Sequence, residues 1–303
     1  MSQSAHSHGQ AKEGEWMPMP AVIDPQTRNY IIHGLAEGLS IRSLERMYGT
    51  NKETILRYQL LVGKGCHFLM DAVMRDLDIE SIQVDEFWSY IWKKQARVNR
   101  RKRSGIDHEG DIWTYVALAP KSKLVPCYWI GQRERYDSRT FMQDLAGRLR
   151  NRIQLSSDGL QSYADAVDNA FGAEIDYGQI VKIFTAPPDP NPTRGVAGQV
   201  IGVRREVISG HPRGISTSLI EKQNHTARMH IRRISRATNA FSKKLANFRA
   251  AVALHYAYYN FCKVHLTIGT TPAVAAGVTD HIWTVPELIE NAAQSLPEKE
   301  MGF

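Results

Sequence analysis

The chain has 303 residues, 43% of them hydrophobic and 23% charged, which suits a folded soluble protein large enough for a sizeable core and excludes a low-complexity or fibrous one. No run approaches the roughly 18 apolar residues of a membrane span, and the start MSQSAHSHGQ lacks the basic and apolar parts of an export signal, so residence in the compartment of synthesis is expected. A net charge of +7, carried in clusters and without a lipidation motif or a basic amphipathic helix, makes nucleic acid the natural partner and gives no reason to expect a membrane.

Residues 1–23 are polar and then Met- and Pro-containing, and read as a flexible tail; His6 and His8 have no neighbouring ligands there. Over 24–66 three short apolar patterns follow: Pro25 to Glu37, Ser40 to Tyr48, and Lys52 to Val62. Gly49-Thr50-Asn51 supplies a turn between the second and third, so the segment predicts a helix-turn-helix unit whose third helix enters a major groove. Asn51, Lys52, Thr54 and Arg57 are its expected DNA contacts. Gly63-Lys64-Gly65 and the acidic stretch that follows predict a connector over 67–78.

From about residue 79 the pattern alternates as strands do. SIQVDEFWSYIW, Ile112 to Ala119 and Val125 to Gly131 predict three strands in an antiparallel meander. Between the first two lie Lys93, Lys94, Arg97, Arg100 and Arg101, placed to meet a DNA backbone. Helix, strand, helix and strand follow at Ser138–Arg150, Ile153–Ser157, Leu160–Phe171 and Ile175–Phe184. Three meander strands followed by this alternation describe a ribonuclease-H-like plan: a mixed five-stranded sheet flanked by helices, in an α/β domain spanning 79–265.

Four prolines between 185 and 194 interrupt the pattern, predicting an insertion at about 185–215 with a hairpin over 199–209. Next comes TSLIEKQNHTARMHIRRISR, with one acid, Glu221, among Lys222, Arg228, Arg232, Arg233 and Arg236. A helix capped by Thr217 or Ser218 would carry Glu221, His225, Arg228 and Arg232 on one face. A long helix over Phe241–Lys263 supplies a core face, its Tyr256, Tyr258, Tyr259 and Phe261 reading as packing, and 266–303 reads as a cover segment. Cys66, Cys127 and Cys262 form no CxxC pair, which argues against disulfide or zinc frameworks and for a reducing cytoplasm.

Asp85 on the first strand, Asp158 at the end of the fourth and Glu221 on the following helix are three carboxylates drawn from separate elements. Gathered together they repel unless a cation joins them, and hard oxygen ligands suit Mg²⁺ or Mn²⁺. Two such ions would serve phosphoryl transfer on nucleic acid. Glu86 competes with Asp85 for the ligand role, because neighbours on a strand point to opposite faces. Asp165 and Asp176 read as surface acids.

The blocks VDEFWSYIWKKQ, DIWTYVALAPKSKLVPCYWIG, FMQDLAGRLRNRIQLSSDGLQSYADAV, FGAEIDYGQIVKIF, STSLIEKQNHTARMHIRRISRATNAFSKK and YNFCKVHLTIGTTPAVAAGVTDHIW, in order between about residues 80 and 290, resemble the insertion-sequence-one family of DDE transposases. The resemblance implies a ribonuclease-H-like core, with Asp85, Asp158 and Glu221 matching the DDE triad that holds two Mg²⁺ or Mn²⁺ ions. Arg228 matches the basic position such enzymes present to terminal DNA. It further implies binding to terminal inverted repeats and target DNA, a homodimer or larger assembly on paired ends, and a prokaryotic, nucleoid-associated setting. The chain departs from the family in lacking the cysteines of an N-terminal zinc ribbon and in the segment 195–210. Alternative readings are a catalytically silent repressor of element ends and a nuclease without strand transfer.

Overall fold

The computed structural model describes residues 23–98, 108–185, 200–235 and 238–297. Three helices come first: α1 (Pro25–Ala36), α2 (Ile41–Tyr48) and α3 (Lys52–Val73). Each begins at a residue that can accept from the exposed first-turn N–H groups: Asp24, Ser40 and Asn51 are the caps. Gly49 ends α2 at φ 66°, the left-handed conformation that glycine adopts without a Cβ penalty. Ile31, Leu44 and Ile55 close a small core among the three.

The expected connector is mostly helix. α3 continues through Gly63-Lys64-Gly65 to Val73, and both glycines sit where its backbone nearly touches a neighbour. A Cβ on Gly63 would lie 2.4 Å from the Ala250 carbonyl oxygen, and one on Gly65 2.3 Å from that of Ala292. Here glycine marks close helix packing and not a break. The second half of α3 belongs to the main core through Val62, Cys66, Leu69 and Met70.

The sheet is built from β1 (Ser81–Ile91), β2 (Gly110–Leu118), β3 (Tyr128–Gly131), β4 (Ile153–Asp158), β5 (Ile175–Phe184) and β6 (Val200–Ser209), in the order β3-β2-β1-β4-β5-β6. The meander is antiparallel, β4 is parallel to β1, β5 is parallel to β4, and β6 is antiparallel to β5. Five strands were expected and six are present among the described residues, because residues 200–209 add a strand to the sheet instead of folding as a hairpin on an insertion. The result is a mixed sheet flanked by helices, consistent with a ribonuclease-H-like plan.

Helices α4 (Arg135–Ala146) and α5 (Gln161–Phe171) pack together on one side. On the other lie α6 (Ser218–His230) and α7 (Leu245–Phe261). The aromatic residues of α7 are buried, as their packing role requires. The C-terminal cover contains two short helices, α8 (Pro272–Ala275) and α9 (Val285–Gln294). α1 is fastened to this body where Glu37 accepts from Tyr258 at 2.8 Å and pairs with Lys263 at 3.0 Å. Among the described residues no helix is long and apolar enough to cross a membrane.

Candidate active site

β1 and β4 are paired only where Ser81–Gln83 lies beside Gln154–Ser156. Beyond that point β1 stays with β2 as far as Ile91, while β4 follows β5 to Asp158. The strands part beyond Gln83 and Ser156, and a notch opens between the middle of β1 and the carboxyl end of β4.

Alternation along β1 turns Gln83, Asp85 and Phe87 toward α6. The Gln83 Oε1 accepts from the Leu219 and Ile220 N–H groups at 3.0 Å each, Asp85 Oδ2 accepts from Asn224 Nδ2 at 3.0 Å, and the Arg228 guanidinium lies 5.8 Å from the centre of the Phe87 ring. Two strand residues advance about 6.6 Å and four helical residues about 6 Å, so the two elements run in step and α6 is held in register with the strand. On the opposite side of β1, Glu86 accepts from the Tyr163 hydroxyl at 3.0 Å and pairs with Arg133 at 2.7 Å.

Despite leaving β1 on opposite sides, Asp85 and Glu86 converge at the notch. One carboxylate oxygen from each of Asp85, Glu86 and Asp158 lies within 4.8 Å of the others. The electrostatics follow from that crowding. Burial, and then the charge of Asp158, pushes Asp85 up to about 6 against the Asn224 hydrogen bond; the same two causes push Glu86 up to about 7. Asp158 is also raised, chiefly by burial, although its Oδ1 accepts from the Leu160 N–H at 3.1 Å.

Glu221 stands in the first turn of α6, 42% exposed, outside this three-carboxylate group. Its Oε1 accepts from Lys182 Nζ of β5 at 2.9 Å and from Thr217 Oγ1 at 3.0 Å. Thr217 therefore ties down the glutamate instead of capping the helix with its side chain. Glu221 still acts on Asp85 and Asp158 through space, raising both. The Lys182 ammonium is raised by its bond to Glu221 and further by Asp85 and Asp158. A protein cation thus feels the field of all three expected ligands, and the donor set fits a hard divalent ion.

Asn51 caps α3, its side chain accepting from the Glu53 N–H at 2.8 Å. Lys52 and Arg57 are exposed and Thr54 is half-buried. Lys93 is paired with Glu109 at 3.0 Å, and Lys94 lies 5.5 Å from the centre of the Trp88 ring. Arg97 is exposed in a 3-10 turn; Arg100 and Arg101, like His6, His8 and Arg236, lie outside the described residues. The single-helix stripe is corrected: α6 stops at His230 because Ile231 and Ile234 turn into the core, and Arg232 sits on a separate 3-10 turn. His225 is exposed one turn after Glu221. Asp165 and Asp176 are surface acids paired with Arg139 and Arg152.

Lys182, Asn224, Arg133 and Tyr163 are the site residues that the sequence reading missed. Asn224 was accessible, standing one helical turn beyond Glu221; Lys182 required knowing which strand lies beside β4.

No family model matches the chain, and no curated protein matches it. Among solved structures, the one titled "Mos1 transposase paired-end complex with left transposon end" aligns at 10% identity over 90% of this chain and 83% of that chain, with a TM-score of 0.22. An overlap of that size establishes no shared fold.

Proposed function

We propose that this chain is a DNA transposase of the DDE type, in which Asp85, Asp158 and Glu221 hold divalent metal, cut at the ends of a mobile element and join the freed 3′-hydroxyl to target DNA. The observation that carries this reading is the notch itself. Asp85 and Glu86 of β1 and Asp158 of β4 bring carboxylate oxygens within 4.8 Å of one another, and Glu221 of the following helix stands beside them, its charge and those of Asp85 and Asp158 acting on the Lys182 ammonium. Three of the six sequence blocks that resemble the insertion-sequence-one family carry Asp85, Asp158 and Glu221.

When bound, Mg²⁺ or Mn²⁺ would supply Lewis-acid charge to the oxygens of a phosphodiester. The chain's own residues do the positioning. Asn224 holds the Asp85 carboxylate toward α6, the Leu160 N–H orients Asp158, and Tyr163 with Arg133 holds Glu86 at the rim of the same notch. Arg228, two turns beyond Glu221, is stationed for a phosphate, and the unit over 24–66 serves recognition of terminal repeats through Lys52, Thr54 and Arg57.

The test combines the protein with labelled duplex carrying the element's terminal sequence, a target plasmid and Mg²⁺, and repeats the reaction with Asp158→Asn. Joined product that disappears in the variant supports transposition. Cleavage without joining makes the protein a nuclease, and binding without either in both proteins makes it a silent end-binding protein.

A further inference from the structure

Among the described residues β6 ends the sheet, with β5 on one side and no strand on the other. Its ladder with β5 is regular over Gly202–Val207, with irregularities at Ile201 and Ile208, and its apolar side chains stand in water: Ile201 is 63% exposed, Val207 61% and Val203 49%. Edges of this kind are ordinarily short, charged or covered, since their free N–H and C=O groups pair readily with another strand. The residues along β6 specify which strand.

When two identical strands pair antiparallel about a two-fold axis, some residue must lie opposite its own copy, because outward-facing backbone groups recur at every second position. Centring the pair on Arg205 sets Arg204 opposite Glu206 of the second copy, and Val203 opposite Val207, twice each. Centring on Arg204 sets Val203 against Arg205 and leaves Glu206 facing Gly202, and centring on Glu206 sets Arg204 against Ile208. Only the Arg205 register matches charge with opposite charge and valine with valine. Arg205 faces its own copy at the axis, and its Nε donates to the Ile215 carbonyl of its own chain at 3.1 Å, which holds the guanidinium toward that segment. Arg204 and Glu206 already form an ion pair on one face of the strand, which the second copy would extend into a ring of four alternating charges.

We infer that β6 is a dimer interface, pairing edge to edge with β6 of a second copy of this chain in the register centred on Arg205, so that two six-stranded sheets become one continuous sheet. Asp158 is in register with Ile180, and Ile180 with Arg205. The two Asp158 residues therefore lie on the row that crosses the dyad, separated by five strand spacings, roughly 24 Å. If the proposed function holds, this places two cutting centres symmetrically about the axis; the pairing itself does not depend on that reading.

Sedimentation equilibrium of the full chain, without DNA or divalent metal, tests the interface apart from any activity. Wild type is expected at twice the chain mass. Arg204→Glu and Glu206→Arg, each setting like charges opposite one another, are expected to weaken association at least tenfold while melting as wild type does by circular dichroism. The double variant Arg204→Glu/Glu206→Arg restores opposite charges across the axis and is expected to recover the dimer. A wild type at single-chain mass, a dimer indifferent to either single change, or a double variant no better than the singles would overturn the inference. A monomer in which Arg204→Glu lowers only DNA affinity would overturn it too, assigning the ribbon to nucleic acid.

Discussion

Asp85 and Glu86 are buried carboxyls beside Asp158. The folded value of Asp85 near 6 stands above the ordinary 3.8, and Glu86 near 7 stands above 4.5, so the folded chain holds both protons more tightly than the unfolded chain does. The penalty for charging these groups is absent below about pH 4, grows as pH rises, and is complete above about pH 7. Metal-free protein is therefore expected to lose melting temperature across that window. Asp85→Asn keeps an acceptor for Asn224 and removes the buried charge; it should be more stable than wild type by about 3 kcal/mol at pH 8 and nearly equal to it at pH 4. Mg²⁺ should raise the melting temperature of wild type at pH 8 and leave the variant nearly unmoved. Equal melting temperatures for the two proteins at every pH would contradict this account. Lys182→Met gives a second check, since it removes a cation from the field of Asp85, Asp158 and Glu221: Mg²⁺ should bind more tightly by calorimetry, and an unchanged or weaker affinity would show that the lysine does not compete for the site. Asp85 and Asp158 were legible in the sequence because strand order alone brings β1 beside β4. The convergence of Glu86 was not, since alternation sends it to the far side of β1 and only the parting of the strands lets it return.

Elements were read well where a single period dominated. The boundaries of β5 and the start of α2 follow directly from apolar spacing and a serine cap. Where a local signal had two physical meanings, tertiary packing chose between them. Gly63 and Gly65 read as punctuation, yet they let α3 approach α7 and α9 more closely than a methyl group permits. On an exposed helix, Gly→Ala stabilises by about 1 kcal/mol. At Gly63 the sign should reverse, with Gly63→Ala costing about 1–3 kcal/mol in a urea melt, because the new Cβ meets backbone that cannot rotate away. A stabilised variant would mean that the helices are not in contact there. The run from Thr217 to Arg236 was similarly ambiguous: its basic residues repeat at helical spacing, but Ile231 and Ile234 are more favourable in the core than on a continued helix.

At the scale of the whole molecule, the expected boundary between a DNA-recognition unit and a catalytic domain falls inside one continuous helix. The first two turns of α3 close the small core of Ile31, Leu44 and Ile55, while Val62, Cys66, Leu69 and Met70 belong to the large one. α7 and α9 both lean on that second half of α3, through the two glycines. A fragment beginning at residue 79, where the sequence pattern first turns to strands, would leave the faces of α7 and α9 in water. With each fully buried aliphatic side chain of α3 worth about 1.5–3 kcal/mol, the four core residues together approach the whole stability of an ordinary domain. Residues 79–303 alone are thus expected to lack a cooperative thermal transition. A longer fragment beginning at Asn51 keeps the capped α3, loses Ile32, Ala36 and the Glu37 contacts of α1, and should melt cooperatively at a lower temperature than the full chain. Circular dichroism melts of the two fragments separate the possibilities. A cooperative transition in the shorter one would show that the strands and later helices fold without α3, as a unit separable from the N-terminal helices.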